Sequence, residues 1–248
     1  MYAIIGGSGL TSLPDLEIVE RRRVTTPYGE PSSALVFGRL AGAGVVFLAR
    51  HGEAHSIAPH QINYRANLRA LADAGATAIV AVASVGGIRA EFGPEVLVAP
   101  DQIIDYTWGR ASTFSEHPEP VRHVDFTQPY SERLRRKILA AAQRAGEAVF
   151  DGGTYGATQG PRLESAAEVT RMERDGADLV GMTGMPEAAL ARELGLDYAT
   201  IAVVVNHAAG RGASEQEIRM QDLEAALARA IARVRAVLRA LVIEGARA

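Results

Sequence analysis

The chain has 248 residues, 48% of them apolar, a formal net charge of −3 and no cysteine. That length suits one sizeable α/β domain spanning 1–248, with ample apolar material for a core. The charge leaves no basic footprint for nucleic acid, and the absence of cysteine excludes a disulfide framework, a thiolate nucleophile and a cysteine-held metal.

No run approaches the roughly 20 apolar residues of a membrane helix. The N-terminus reaches glycine too soon for a signal peptide, so the expected setting is the cytoplasm, without a membrane partner. Residues 2–5 read as a buried strand ending at Gly6, and 34–37 and 45–49 as two more strands joined by a Gly-rich turn. Helical spacing over 61–74 lets Ile62, Leu68 and Leu71 share a face. A β-rich run over 76–82 leads into Gly86-Gly87, and 96–98 and 103–104 are short strand pieces. Residues 131–145 form a helix with Ser131 as N-cap and Gly146 at its end. A strand over 149–156 precedes a helix starting near Leu163. A short helix over 185–194 closes at Gly195, 197–205 is the longest apolar strand, and 215–243 is a terminal helix. This alternation predicts one α/β domain with a mixed, largely parallel central sheet flanked by helices on both faces.

Three segments offer chemistry. Gly6-Gly7-Ser8-Gly9-Leu10 follows the first strand, where glycines let successive N–H groups converge on an anion and Ser8 adds a hydroxyl; an ordinary Gly-rich turn is the alternative. The run lacks the third glycine of the dinucleotide fingerprint. Leu48-Ala49-Arg50-His51-Gly52 places at a strand end an arginine able to fork onto phosphate, or simply to lie on the surface. Ser84-Val85-Gly86-Gly87 ends another strand, the edge at which α/β sheets bind ligands, though a tight turn also accounts for it.

Together these segments, with Asn63-Tyr64-Arg65-Ala66-Asn67, Gly160-Pro161-Arg162 and Met182-Thr183-Gly184-Met185-Pro186-Glu187, resemble the methylthioadenosine phosphorylase and trimeric purine nucleoside phosphorylase family in order and spacing, over essentially the whole chain. The resemblance implies a single-domain nucleoside phosphorylase fold, a homotrimer with sites near subunit interfaces, a small-molecule nucleoside with inorganic phosphate as co-substrate, and no metal or organic cofactor. It implies that Ser8, Arg50, His51, Ser84 and Thr183 hold phosphate, Ser84 through its backbone N–H. Met182 packs on the ribose, Leu163, Val85 and Gly86 complete the substrate wall, and His123 serves a neighbouring subunit near the 5′ group. The chain departs from the pattern at Ala83, where the methylthioadenosine branch has threonine.

Two positions speak to the base. The methylthioadenosine branch has aspartate at Asn206 and a second carboxylate at Ala208. An amide can donate to a 6-oxo group while accepting from N7–H, whereas a carboxylate only accepts. Glu164 stands where 6-oxopurine enzymes place glutamate, able to accept from N1–H. Turn-capping by Asn206 and an ordinary first-turn helix acid at Glu164 are the structural alternatives. At the sugar end, the resemblance puts Met220 near the position of the histidine that meets a 5′-hydroxyl and Leu223 one turn further; both are apolar, which suits a methylthio group, and helix core is the alternative. The expected reaction is phosphorolysis of 5′-methylthioinosine to hypoxanthine and 5-methylthioribose 1-phosphate. Methylthioadenosine or inosine/guanosine phosphorolysis is the nearest alternative, and nucleoside hydrolysis a further one. The roles of His55, His60 and His207 stay open.

Overall fold

A computed structural model describes residues 1–116 and 121–245. In chain order the strands and helices are β1 (Tyr2–Gly6), β2 (Leu16–Arg22), β3 (Leu35–Leu40), β4 (Ala43–Ala49), α1 (Tyr64–Asp73), β5 (Ala78–Gly87), β6 (Leu97–Ala99), β7 (Gln102–Asp105), α2 (Glu132–Ala145), β8 (Val149–Asp151), β9 (Thr154–Ala157), α3 (Ala166–Arg174), β10 (Leu179–Gly181), α4 (Gly184–Glu193), β11 (Asp197–His207) and α5 (Met220–Gly245).

The strands join one mixed sheet with the main path β2-β3-β4-β1-β5-β10-β9-β7; β11 pairs with β5 and carries β6 and β8 beyond it. Alternation along β1 sends Ala3 and Ile5 to one face and Ile4 to the other. The first face packs against Tyr64, Leu68 and Leu71 of α1 and Ala188, Leu190 and Ala191 of α4. The second packs against Leu134, Ile138 and Ala141 of α2 and Val234, Leu238 and Leu241 of α5. Helices cover both faces as the alternating pattern predicted, and the central strands β1, β4, β5 and β11 are almost wholly buried. Each fully buried aliphatic side chain there contributes about 1.5–3 kcal/mol through removal from water.

The differences from the sequence expectation have local causes. Strand β2 has no apolar run: beyond Leu16 every residue is exposed, and its charged side chains suit an edge strand paired only with β3. The expected strand over 149–156 is two strands, because Gly152 and Gly153 both take positive φ and turn the chain between parallel partners. The helix expected near Leu163 begins at Ala166, where Ser165 accepts from the Glu168 N–H and Glu168 reaches back to the Ser165 N–H. The terminal helix begins at Met220 rather than 215, after a single 3₁₀ turn at Gly212–Ser214. Among the described residues no helix is long and apolar enough to cross a membrane.

Candidate active site

Strand β5 changes neighbours along its length. Its last pairing with β1 is at Ala81 and its first with β10 at Gly86, so residues 82–85 leave one edge open. A cavity of about 470 Å³ lies against that opening, at the carboxyl ends of β1, β4 and β5, where α/β sheets bind ligands. Ser8, Arg50, His51, Ser84, Val85, Gly86, Leu163, Glu164, Met182, Thr183, Asn206, Met220 and Leu223 all line it. His123 does not: it is exposed on its own chain and away from this cavity.

Arg50 is the least expected member. It is 1% exposed, and its fork grips Glu187 through Nε (2.7 Å) and Nη2 (2.8 Å) instead of standing open, while Nη1 donates to the Val82 carbonyl at 2.8 Å. Burial disfavours the guanidinium charge, but the Glu187 carboxylate outweighs burial and raises the group above its ordinary value. Tyr198 Oη donates to Glu187 Oε1 at 2.8 Å, with the phenol held protonated far above its usual range by burial and by the Glu187 charge. Among the described residues three of the five guanidinium N–H donors are thus committed, leaving two. Gly7 makes this approach possible: a Cβ there would sit 2.6 Å from the Val82 carbonyl oxygen and 2.9 Å from Arg50 Nη1.

Thr183 precedes α4 and lines the cavity; its side chain makes no capping bond, and the extended backbone of Met185 puts the regular start of the helix at Pro186. Ser8 Oγ lies 3.4 Å from His55 Nε2, which places His55 on the cavity wall too; His60 lies outside it on a 3₁₀ turn and His207 lines a separate cavity. His51 Nδ1 is 2.8 Å from the Ile57 carbonyl oxygen. A carbonyl only accepts, so Nδ1 carries the proton and Nε2 is left as an acceptor. Burial, reinforced by the Arg50 charge, pushes the His51 imidazole down to about 4, so it is neutral at pH 7.

Asn206 reaches the cavity through an irregularity in β11. Val204 pairs with Val85 and Asn206 with Gly86, so Val205 is an extra residue, and Val205 and Asn206 both face the cavity. The Asn206 Nδ2 donates to the His207 carbonyl at 2.5 Å. Glu164 precedes α3 and is not a first-turn helix acid; its Oε1 accepts from the Thr158 hydroxyl at 2.6 Å. Met220 is 60% exposed, which excludes the helix-core alternative for that side chain, whereas Leu223 packs against the core and lines the cavity.

Sequence reasoning missed the scaffold of the site. Glu187 lay inside a quoted motif without a role. Arg110 donates to the Met182 carbonyl (2.8 Å), the Met185 carbonyl (2.6 Å), the Thr158 carbonyl (3.1 Å) and the Gln159 carbonyl (2.8 Å), tying together the two loops that carry Glu164 and Thr183. Its partners lie far along the chain, so no local pattern announced it. Asn63 and Asn67 hold the 28–32 segment, Asn63 by donating to the Tyr28 carbonyl and Asn67 by bonding Ser32, and neither lines the cavity.

Fold and cavity define an α/β enzyme whose site combines anion-binding donors with amide, carboxylate and apolar groups able to hold a planar base and a sugar. The chain belongs to the Phosphorylase superfamily, whose family model matches residues 1–243. It is 58% identical over 222 residues to a Xanthomonas campestris protein named "Probable S-methyl-5'-thioinosine phosphorylase", covering 89% of this chain and 88% of that one. A 6-oxopurine nucleoside phosphorylase from Pyrococcus furiosus is 46% identical over 214 residues, 84% of this chain and 80% of that one. The structure of methylthioadenosine phosphorylase from Schistosoma mansoni in complex with adenine superposes with a TM-score of 0.94 at 32% identity, covering 100% of this chain and 92% of that one. The chain is a nucleoside phosphorylase of the pentosyltransferase type.

Two outcomes follow from the buried groups. Glu187→Ala leaves the Arg50 charge buried without its partner and is expected to destabilise the fold by about 3–5 kcal/mol in urea denaturation; a loss within the error of the midpoint would show the pair carries no such weight. The unfolded His51 imidazole, near 6.5, takes up a proton before the folded one near 4, so its stabilising contribution is present above about pH 6.5 and is lost as pH falls toward 4. The urea midpoint should therefore drop more steeply over that window in the wild type than in His51→Gln.

Proposed function

We propose that the chain cleaves 5′-methylthioinosine with inorganic phosphate, giving hypoxanthine and 5-methylthioribose 1-phosphate. The observation that carries this reading is the sharing of one cavity by Asn206, Glu164, Met220 and Leu223. Its relatives named for methylthioinosine and 6-oxopurine nucleosides support it.

In this reading hydrogen phosphate lies against Ser8, the Ser84 N–H, Thr183 and the two uncommitted donors of Arg50. His51, neutral with its Nδ1 proton engaged, offers Nε2 to the phosphate O–H. The N9–C1′ bond breaks with its electron pair passing to the purine, and a phosphate oxygen bonds C1′ of the resulting oxocarbenium-like sugar. The proton that hydrogen phosphate gives up balances the one the departing purine gains. Asn206 donates to O6 and accepts from N7–H as negative charge builds on the base, which stabilises the transition state more than the ground state. Glu164 accepts from N1–H, and Met182 packs on the ribose. Met220 and Leu223 receive the methylthio group, where a 5′-hydroxyl would lose its water without a replacement partner.

The same reading takes no metal or organic cofactor and places the enzyme in the cytoplasm as a single catalytic domain, 1–248. It assigns a homotrimer in which His123 reaches a neighbour's sugar site. Ala83, where the methylthioadenosine branch carries threonine, leaves phosphate held with one side-chain donor fewer.

Phosphorolysis of methylthioinosine, methylthioadenosine and inosine, each with and without phosphate, tests the assignment. Methylthioinosine is expected to have the highest kcat/KM, with no turnover in the absence of phosphate; equal rates without phosphate would make the enzyme a hydrolase. Asn206→Ala is expected to lower kcat on methylthioinosine by about 10²–10³-fold, and near-normal turnover would remove Asn206 from the leaving-group role.

A further inference from the structure

We infer that Thr158 sharpens the base preference by fixing the orientation of the Glu164 carboxylate. The inference rests on the proposed reading in which Glu164 faces N1 of the purine, and it identifies what keeps that carboxylate aimed at N1–H.

Thr158 follows β9 and is held at three points. Its backbone N–H donates to the Gly181 carbonyl at 2.8 Å, its own carbonyl accepts from Arg110 Nη2 at 3.1 Å, and its hydroxyl lies 2.6 Å from Glu164 Oε1. Among the described residues its other acceptor is the Gly181 carbonyl at 3.3 Å, which already receives the Thr158 N–H.

A hydroxyl has one proton to give. Thr158 gives it along the 2.6 Å contact to Glu164 Oε1, a length typical of an O–H to carboxylate bond, rather than to the Gly181 oxygen at 3.3 Å, beyond the usual O–H···O range. Oε1 is thereby held in one direction, which fixes the carboxylate and leaves Oε2 for the base. A 6-oxopurine offers N1–H to such an oxygen; a 6-aminopurine presents the N1 lone pair and is repelled. Thr158 is thus a positioning residue that acts through Glu164 without touching the substrate. Arg110, by donating to the Thr158 carbonyl, steadies the backbone that carries the hydroxyl.

The test compares kcat/KM for 5′-methylthioinosine and 5′-methylthioadenosine in wild type, Thr158→Val, Thr158→Ser, Glu164→Gln and the Thr158→Val/Glu164→Gln double variant. Thr158→Val is expected to lower the methylthioinosine-to-methylthioadenosine ratio by about tenfold, the scale of one hydrogen bond to a charged group. The change should fall chiefly on KM for methylthioinosine, because the contact is made before the glycosidic bond breaks. Thr158→Ser, which keeps the hydroxyl, should restore the ratio. In the Glu164→Gln background, Thr158→Val should change the ratio no further. A purely structural role would instead depress both substrates alike and persist in that background. Should Thr158→Val fail to fold, Thr158→Ala enters the same cycle. A wild type indifferent to the base would overturn the substrate reading and this inference with it. A selective wild type whose ratio survives loss of the hydroxyl, or is not restored by serine, overturns the role of Thr158 alone.

Discussion

Strand β5 has three neighbours and cannot keep all of them along its whole length. Beyond Ala81 it loses β1, and at Gly86 it gains β10, while β11 stays beside it throughout. The interval has one unpaired backbone edge in the interior of the sheet, and buried backbone groups must find partners. Part of that demand is met by Arg50, whose Nη1 takes the Val82 carbonyl. The site is therefore a consequence of topology: the place where the sheet runs out of strand is the place where side chains and ligand can enter.

Putting an arginine there carries a cost that explains its surroundings. A cation at 1% exposure needs a counter-charge and further hydrogen bonds, and Glu187 on α4 supplies both, itself held by Tyr198 on β11. Glu187 and Tyr198 tie Arg50, at the end of β4, to α4 and β11, so in the proposed function the phosphate end of the cavity is braced from three elements. An arginine so held is a pre-oriented group, and in the proposed function little reorganisation is needed when phosphate arrives. The neutral state of His51 fits the same economy, since a second buried cation beside Arg50 would be repelled.

What could be read in the sequence was whatever has a local signature. Continuous apolar runs disclosed β1, β4 and β11, and Ser131 with Gly146 marked the ends of α2, where the structure shows the cap bond and a left-handed glycine. Strand β2 was illegible because an edge strand with six exposed residues has no core-facing alternation to detect. Within the site, Asn206, Glu164 and Arg50 were found through their register in separated motifs. Arg110 and Thr158 were not, since their meaning lies in partners contributed by distant loops. The open fork expected of Arg50 failed for the same reason: nothing near Arg50 in the sequence announces that Glu187, far along the chain, will claim it.

The base-reading groups in the proposed function depend on two different ways of aiming a side chain. Asn206 is aimed by the backbone, through the extra residue at Val205 in a strand otherwise locked to β5. Glu164 is aimed by side chains, through Thr158 and behind it Arg110. An amide whose direction is set by a sheet tolerates changes in its neighbours, because moving it requires breaking strand pairing. A carboxylate set by a hydroxyl moves when one bond is lost. If base preference drifts among proteins with this cavity, the physical expectation is that it drifts through the Glu164 side, where a single hydroxyl separates a fixed acceptor from a free one.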